Sequence, residues 1–272
     1  MKKTIDLIKL NKTKSISLTG DYCYLNCSHC NKHYLKNMKT IKDIEALVKQ
    51  GYKSFLLSGG MNNKLEIPIN IHKNELRKLK EKYDLKYNAH FGFMNEENII
   101  DIKDIIDTAS IDIIGNKKTL EEVYHIKNYE ESFKTIENII KYEIPIKPHI
   151  TIGLYKGQIY HEIEALEKLE KYIEYFDRII FLVLIPTKGS KYENNLIPKI
   201  DEVLNIIKIA KKMYNDKKII LGCMHPKGTY RKELQKNLIP YLDGLVQPLK
   251  ETEILIKNMN YKINYKYECC AL

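Results

Sequence analysis

The sequence predicts an α/β protein built as a (β/α)8 TIM-type barrel. Three observations carry that expectation. Short β-branched apolar runs alternate with helical patterns, as in parallel βα units. Eight such runs can be counted along the chain. No Gly-, Ser- or Pro-rich linker and no low-complexity tract interrupts them, so residues 1–247 read as a single barrel domain. Residues 248–272 are then a C-terminal extension, expected to fold over the barrel mouth.

The expected strands are Ser15–Thr19, Ser54–Leu57, Tyr87–His90, Ile111–Ile114, His149–Ile152, Ile179–Ile185, Lys218–Leu221 and Gly244–Gln247. Between them, apolar residues recur at helical spacing: Ile41, Ile44, Leu47 and Val48, stopping at Gly51; Phe133, Ile136, Ile139 and Ile140; Ile163, Leu166, Leu169, Ile173 and Phe176; Val203, Ile206, Ile207, Ala210 and Met213. Charged residues fill the opposite face, as on the outer helices of a barrel. Such barrels place their chemistry at the C-terminal ends of the strands. The unusual residues fall there: Gly20 and Cys23, Ser58-Gly59-Gly60, Asn88 to His90, Gly153, Pro186 to Gly189, and Gly222-Cys223.

Composition narrows the class. At 44% hydrophobic and 29% charged residues, with 12 Gly and 8 Pro in 272, the chain is a packed globular protein. Its longest apolar run, Ile179–Ile185, is far too short to cross a bilayer. Residues 1–12 mix apolar residues with Lys and Asp and contain no secretory h-region, so a cytoplasmic location is expected and no membrane partner. The net charge of +10 could signal nucleic acid. However, only three of the 45 basic residues are Arg (Arg77, Arg178 and Arg231), and Ile and Asn are abundant. That usage fits an AT-rich genome, and a nucleic-acid partner is not expected.

Six cysteines remain to be explained. In a reducing cytosol, cysteines at short fixed spacing point to metal binding or catalysis. Residues 23–30 read Cys-Tyr-Leu-Asn-Cys-Ser-His-Cys, which sets Cys23, Cys27 and Cys30 on one short loop after a strand. A [4Fe–4S] cluster takes four ligands, usually thiolates. Three thiolates leave one iron open to a small molecule. Zinc favours closed four-ligand sites and fits a lone triplet poorly.

This motif closely resembles that of the radical S-adenosylmethionine (SAM) superfamily. The resemblance implies that the open iron chelates SAM, whose reductive cleavage yields a 5′-deoxyadenosyl radical that abstracts hydrogen from an unactivated carbon. His29 stands at the family's aromatic position. Ser58-Gly59-Gly60 stands where members carry Gly-Gly-Glu, with Met61 replacing the Glu. The resemblance also implies SAM contacts from Ile152 and Gly153 on the fifth strand and Leu184 on the sixth. Asn88 and His90, two apart, share a strand face, and Asp112 lies on the next strand. Inward polar groups of this kind need partners, which SAM or the substrate would supply.

Cys223, Cys269 and Cys270 form a second set of three. The residues before Cys269 alternate, with Tyr261, Ile263, Tyr265 and Tyr267 on one face, and this predicts a half-buried strand. A second Fe–S cluster is therefore expected on these three thiols, with Arg231 as a neighbour. Segments 17–36, 148–154, 185–189 and 222–226 resemble the biotin-synthase-like radical SAM group of archaea and anaerobes, some members of which form half of a two-subunit lipoyl synthase. That implies sulfur insertion into a protein-bound octanoyl chain. The implied partners are an octanoylated lipoyl carrier, a paralogous radical SAM subunit and a low-potential electron donor. Two alternatives remain open: a radical SAM enzyme without sulfur chemistry, and a zinc or Fe–S protein that binds nucleic acid.

Overall fold

The structure, a computed structural model, describes residues 2–272. Eleven strands form one parallel sheet: β1 (Thr4–Ile8), β2 (Thr13–Ser17), β3 (Lys39–Thr40), β4 (Ser54–Ser58), β5 (Lys86–His90), β6 (Thr108–Asp112), β7 (Ile146–Ile152), β8 (Arg178–Val183), β9 (Lys218–Leu221), β10 (Gly244–Val246) and β11 (Lys262–Lys266). Their spatial order is β11-β1-β10-β9-β8-β7-β6-β5-β4-β2-β3. All eight expected strands are present. From β2 to β10 they follow chain order, as successive right-handed βα units require.

Alternation along each strand builds two cores. Phe55, Leu57, Tyr87, Ala89, Ile150, Ile152, Ile179, Phe181, Ile219 and Leu221 point outward and pack in one large cluster with Leu76, Ile136, Leu166, Val203 and Ile206 of the surrounding helices. The other faces of the strands turn inward. There Ile8, Ile180, Ile220 and Val246 form a smaller apolar cluster with Cys270 and Ala271. No helix among the described residues is long and apolar enough to cross a membrane.

The structure departs from the expected barrel in two ways. First, the sheet is curled but does not close as eight paired strands. An additional strand, β1, pairs with β10, and β11 pairs outside β1 with Thr4 opposite Lys262, while the other end of the sheet runs β4-β2-β3. Asp6 disguised β1 in the sequence. It is a buried carboxylate within the strand, held by Lys218 Nζ at 3.0 Å and by Asn264 Nδ2 at 3.2 Å. Second, the segment after β11 does not fold over the mouth; it enters the opposite end. The Cys269 amide donates to Thr13 Oγ1 (2.7 Å), Lys86 Nζ pairs with Glu268 (3.0 Å), and Arg178 Nη1 donates to the Cys270 carbonyl (2.8 Å). Thr13, Lys86 and Arg178 are the first residues of β2, β5 and β8. β11 ends with Lys266 opposite Ile8, and from there the chain follows the short β1–β2 link, whose Lys9 and Lys12 amides donate to the Lys266 and Tyr267 carbonyls (2.9 Å each), down to the start of β2. The Tyr-rich alternation does form a strand, but an exposed edge one, with Tyr265 and Tyr267 open to solvent.

Candidate active site

The Cys23 loop begins at the C-terminal end of β2 and is pinned on three sides. Across the sheet, the Leu18 amide donates to the Ser58 carbonyl (2.8 Å) and the Tyr24 amide to the Met61 carbonyl (2.8 Å). On another side, Ser28 donates through its amide to Val123 (2.7 Å) and through its hydroxyl to Glu122 (3.0 Å). Asn31 Nδ2 donates to the Gly189 carbonyl (2.6 Å), and Tyr34 Oη contacts Thr187 Oγ1 (3.0 Å). The β4 turn fits against the loop closely. The Gly60 amide donates to Thr19 Oγ1 (2.7 Å), and Thr19 Oγ1 donates to the Tyr22 carbonyl (2.9 Å). A β-carbon on Gly60 would overlap that carbonyl and stand 2.5 Å from Cys23 Cα. Only glycine permits the approach.

The three thiols on this loop share an apolar setting with Leu25, Leu184 and Met61, and Cys27 is only 8% exposed. A hydrogen bond between Cys27 and Cys30 raises the Cys27 thiol, with burial adding to the rise, and lowers Cys30 to about 7. Among the described residues, no three His, Cys, Asp or Glu side chains converge as one metal ion requires. A cubane cluster spreads its thiolates over separate irons, so three cysteines in series on a pinned loop suit it better than they suit one ion. His29 lies beside them against Tyr124 (ring centroids 5.2 Å apart), its Nδ1 buried without a partner. Burial lowers its pKa to about 4.

Below this loop, β4 to β7 turn polar groups into the barrel. Ser58 Oγ contacts His90 Nδ1 (3.1 Å), and the His90 and His149 rings meet edge-on at 6.4 Å. Asp112 is the register partner of His149 on the adjacent strand. His90, His149 and Asp112 thus share one surface. His149 was not singled out in the sequence, although the period-two pattern of β7 places it on the same face as Thr151.

Other expected contacts lie elsewhere. Asn88 is buried and points toward the opposite end of the barrel from His90. Its Oδ1 accepts from Thr108 Oγ1 (3.1 Å) and Ser110 Oγ (2.9 Å), and its Nδ2 donates to Cys269 Sγ (3.8 Å). The Ile152 side chain is wholly buried in the outer core, on the helix side of β7, so it faces away from the interior. Gly153 follows at φ +77°, and a β-carbon there would overlap the Pro198 ring. Its amide donates to Glu162 Oε1 (2.7 Å). Glu162 is itself buried and also accepts from the amides of Tyr160 and His161. This carboxylate shapes the end of β7, and nothing in the local sequence marked it.

The second cysteine set shares one apolar cluster inside the barrel. Cys223, just beyond β9, packs in one cluster with Cys269 and Cys270, which arrive from the other end. Burial pushes the Cys223 thiol up to about 11, with Cys269 adding to the effect. A hydrogen bond between the adjacent thiols lowers Cys269 to about 7 and raises Cys270. Arg231 approaches Cys223, with its Nε buried and unpartnered. The Cys223 turn is braced by His225, which donates through Nδ1 to the Gly222 carbonyl (3.0 Å) and contacts the buried Gln235 amide through Nε2 (3.3 Å).

No family profile matches the chain, and no curated protein matches it in sequence. Solved structures do match in shape. The FeFe-hydrogenase maturase HydG from Carboxydothermus hydrogenoformans aligns with a TM-score of 0.71 at 15% identity, over 96% of this chain and 67% of that one. Methylornithine synthase (PylB) aligns at 0.67 and 13% identity, over 96% and 83%. The structure of anSMEcpe with bound AdoMet aligns at 0.53 and 14% identity, over 88% and 68%. The chain shares its fold with these three proteins. Within that fold the chain carries its three-thiol loop directly after β2 and its two-glycine turn directly after β4.

Proposed function

We propose that the chain is a radical SAM enzyme. The observation that carries this reading is the interlock of the Cys23-Cys27-Cys30 loop with the Gly59-Gly60 turn at one end of a barrel of that fold. Cys23, Cys27 and Cys30 would hold a [4Fe–4S] cluster, and the Gly59-Gly60 backbone and Ser58 would line the adjoining SAM position. Such a cluster with SAM supplies a carbon radical that takes hydrogen from an unactivated C–H bond. The protein's part is to fix the thiols, keep His29 neutral beside them and screen the interior from water.

The finer reading is sulfur insertion. Its support is the shared apolar cluster of Cys223, Cys269 and Cys270 inside the same barrel, where these thiols, with Arg231 alongside, would hold a second cluster. A protein-bound octanoyl chain, a paralogous subunit and an electron donor are the substrate and partners that the sequence resemblance supplies. A radical enzyme without sulfur chemistry is the second reading, favoured by the polar inner wall of Ser58, His90, Ser110, Asp112 and His149, which suits a more polar substrate than an alkyl chain.

Anaerobic reconstitution tests both levels. Dithionite-dependent formation of 5′-deoxyadenosine that is lost in Cys27→Ala supports the enzyme. An intact cluster with no SAM cleavage overturns it. Iron and sulfide equal to two clusters, halved when Cys223, Cys269 and Cys270 become Ala, supports the second site. Iron content unchanged by those substitutions removes it.

A further inference from the structure

The inner wall of the barrel has two halves of different character. From β8 through β10 to β1 it is apolar, formed by Ile180, Ile220, Val246 and Ile8, and is covered by Cys270 and Ala271. From β4 to β7 it is polar, and one residue there is unbalanced. Asp112 ends β6 on the inward face, opposite in alternation to Ile111 and Ile113, which join the outer core. It is exposed at the mouth. No hydrogen bond or ion pair engages Asp112 among the described residues. Lys147, on the inward face of the neighbouring strand, pairs with Asp177 at 2.6 Å instead. In a chain with 45 Lys and Arg, this carboxylate therefore stands in the barrel without a cation.

Its neighbour adds a second acceptor. His149 Nδ1 lies 2.9 Å from the Lys147 carbonyl, which can only accept, so Nδ1 carries the proton. Nε2 of the neutral ring is then left with a lone pair. Burial keeps this imidazole neutral, holding its pKa near 4 despite the pull of Asp112. His149 and Asp112 are register partners on adjacent parallel strands, about 4.8 Å apart, so both acceptors face the same space. A carboxylate and a lone-pair nitrogen side by side call for a group with several N–H donors and a positive charge.

We propose that Asp112 and His149 Nε2 form a subsite for a primary ammonium group of the substrate. The inference rests on the reading of the barrel interior as the substrate chamber, and it holds with or without sulfur chemistry. It sets Asp112 apart from the SAM position that the sequence suggested.

The test uses the anaerobically reconstituted protein and three probes of equal chain length: octylammonium chloride, 1-octanol and sodium octanoate. Calorimetry should show octylammonium binding at least tenfold more tightly than octanol, and octanoate more weakly than either. Asp112→Asn, which keeps shape and removes charge, should reduce the preference for octylammonium to less than twofold and leave SAM affinity within twofold of wild type. In protein labelled with 15N at histidine, His149 should appear as the Nδ1–H tautomer, and its Nε2 resonance should move on adding octylammonium. Equal affinity for the three probes, an unchanged preference in Asp112→Asn, or loss of SAM binding in that variant would each overturn the proposal. Failure of the radical SAM reading would show separately, as absent 5′-deoxyadenosine with the probe preference intact.

Discussion

Asn88 in the middle of β5 donates a hydrogen bond to the thiol of Cys269, 181 residues further along the chain. The same side chain accepts from the hydroxyls of Thr108 and Ser110, so one buried amide joins the polar wall of the barrel to the inserted segment. Asn88→Ala would leave both hydroxyls unpaired in a dry interior. The expected loss of stability is about 2–4 kcal/mol, since each buried polar group left without a partner costs about 1–3 kcal/mol. Urea denaturation measures it, and a change below half a kilocalorie would show that water replaces the amide.

Gly60→Ala is expected to disturb the thiol loop more than the fold. The added methyl would meet the backbone of Tyr22 and Cys23, which cannot swing aside as a side chain could. Reconstituted iron at the Cys23 loop should fall at least twofold, with a melting temperature lowered by only a few degrees. Iron analysis beside a thermal melt separates the two effects; normal iron content would mean that the turn can retreat.

Glu162 offers a sharper test of local burial. Its carboxylate accepts from three backbone amides, of Gly153, Tyr160 and His161. Gln retains one accepting oxygen and turns a donor toward the remaining amides. Glu162→Gln should therefore cost about 1–3 kcal/mol, and Glu162→Ala more, because the carboxylate's hydrogen bonds are charge-assisted. Denaturation of both variants would show the order, and equal stability of Gln and wild type would contradict it.

Acid should destabilise the metal-free protein well above the carboxylate range. Burial lowers His149 and His225 to about 4, with Asp112 opposing the shift at His149 and Arg231 adding to it at His225. Unfolded, these rings bind protons near pH 6.5. Between about pH 6.5 and 4 the unfolded chain holds more protons than the folded one, so stability falls as pH falls through that window. The dependence of unfolding free energy on pH should correspond to about two protons from this pair near pH 5. His149→Gln, which removes one titrating ring, should flatten the slope by about one proton.

Local chemistry was readable from the sequence, and long-range placement was not. The eight β-branched runs marked the strands because each buries an outward row of apolar residues under helices, as Phe55 and Leu57 do on β4. The thiol loop was plain because its three cysteines lie within eight residues. β1 was hidden by Asp6, which is tolerable in a strand only through Lys218 and Asn264, two residues more than 200 positions away. Helix Lys73–Tyr83 escaped because it buries just Leu76 and Leu79 amid charged residues. The second cysteine set could be grouped by count, but which end of the barrel it enters depends on Thr13, Lys86 and Arg178, whose roles no local pattern announces. The separation of Asn88 from His90 follows from the same fact, since the two share a face but serve opposite ends.

The pairing of β11 with β1 also sets an order in time. During synthesis, Cys23, Cys27 and Cys30 precede most of the strands that pin their loop, which follow in sequence. Cys223 gains its companions only after Lys262 to Lys266 has been made and has crossed back to Thr4–Ile8, a closure spanning more than 250 residues. Contacts of such long separation form late in folding. A growing chain can therefore finish the loop that carries one set of thiols while the other is still a lone cysteine.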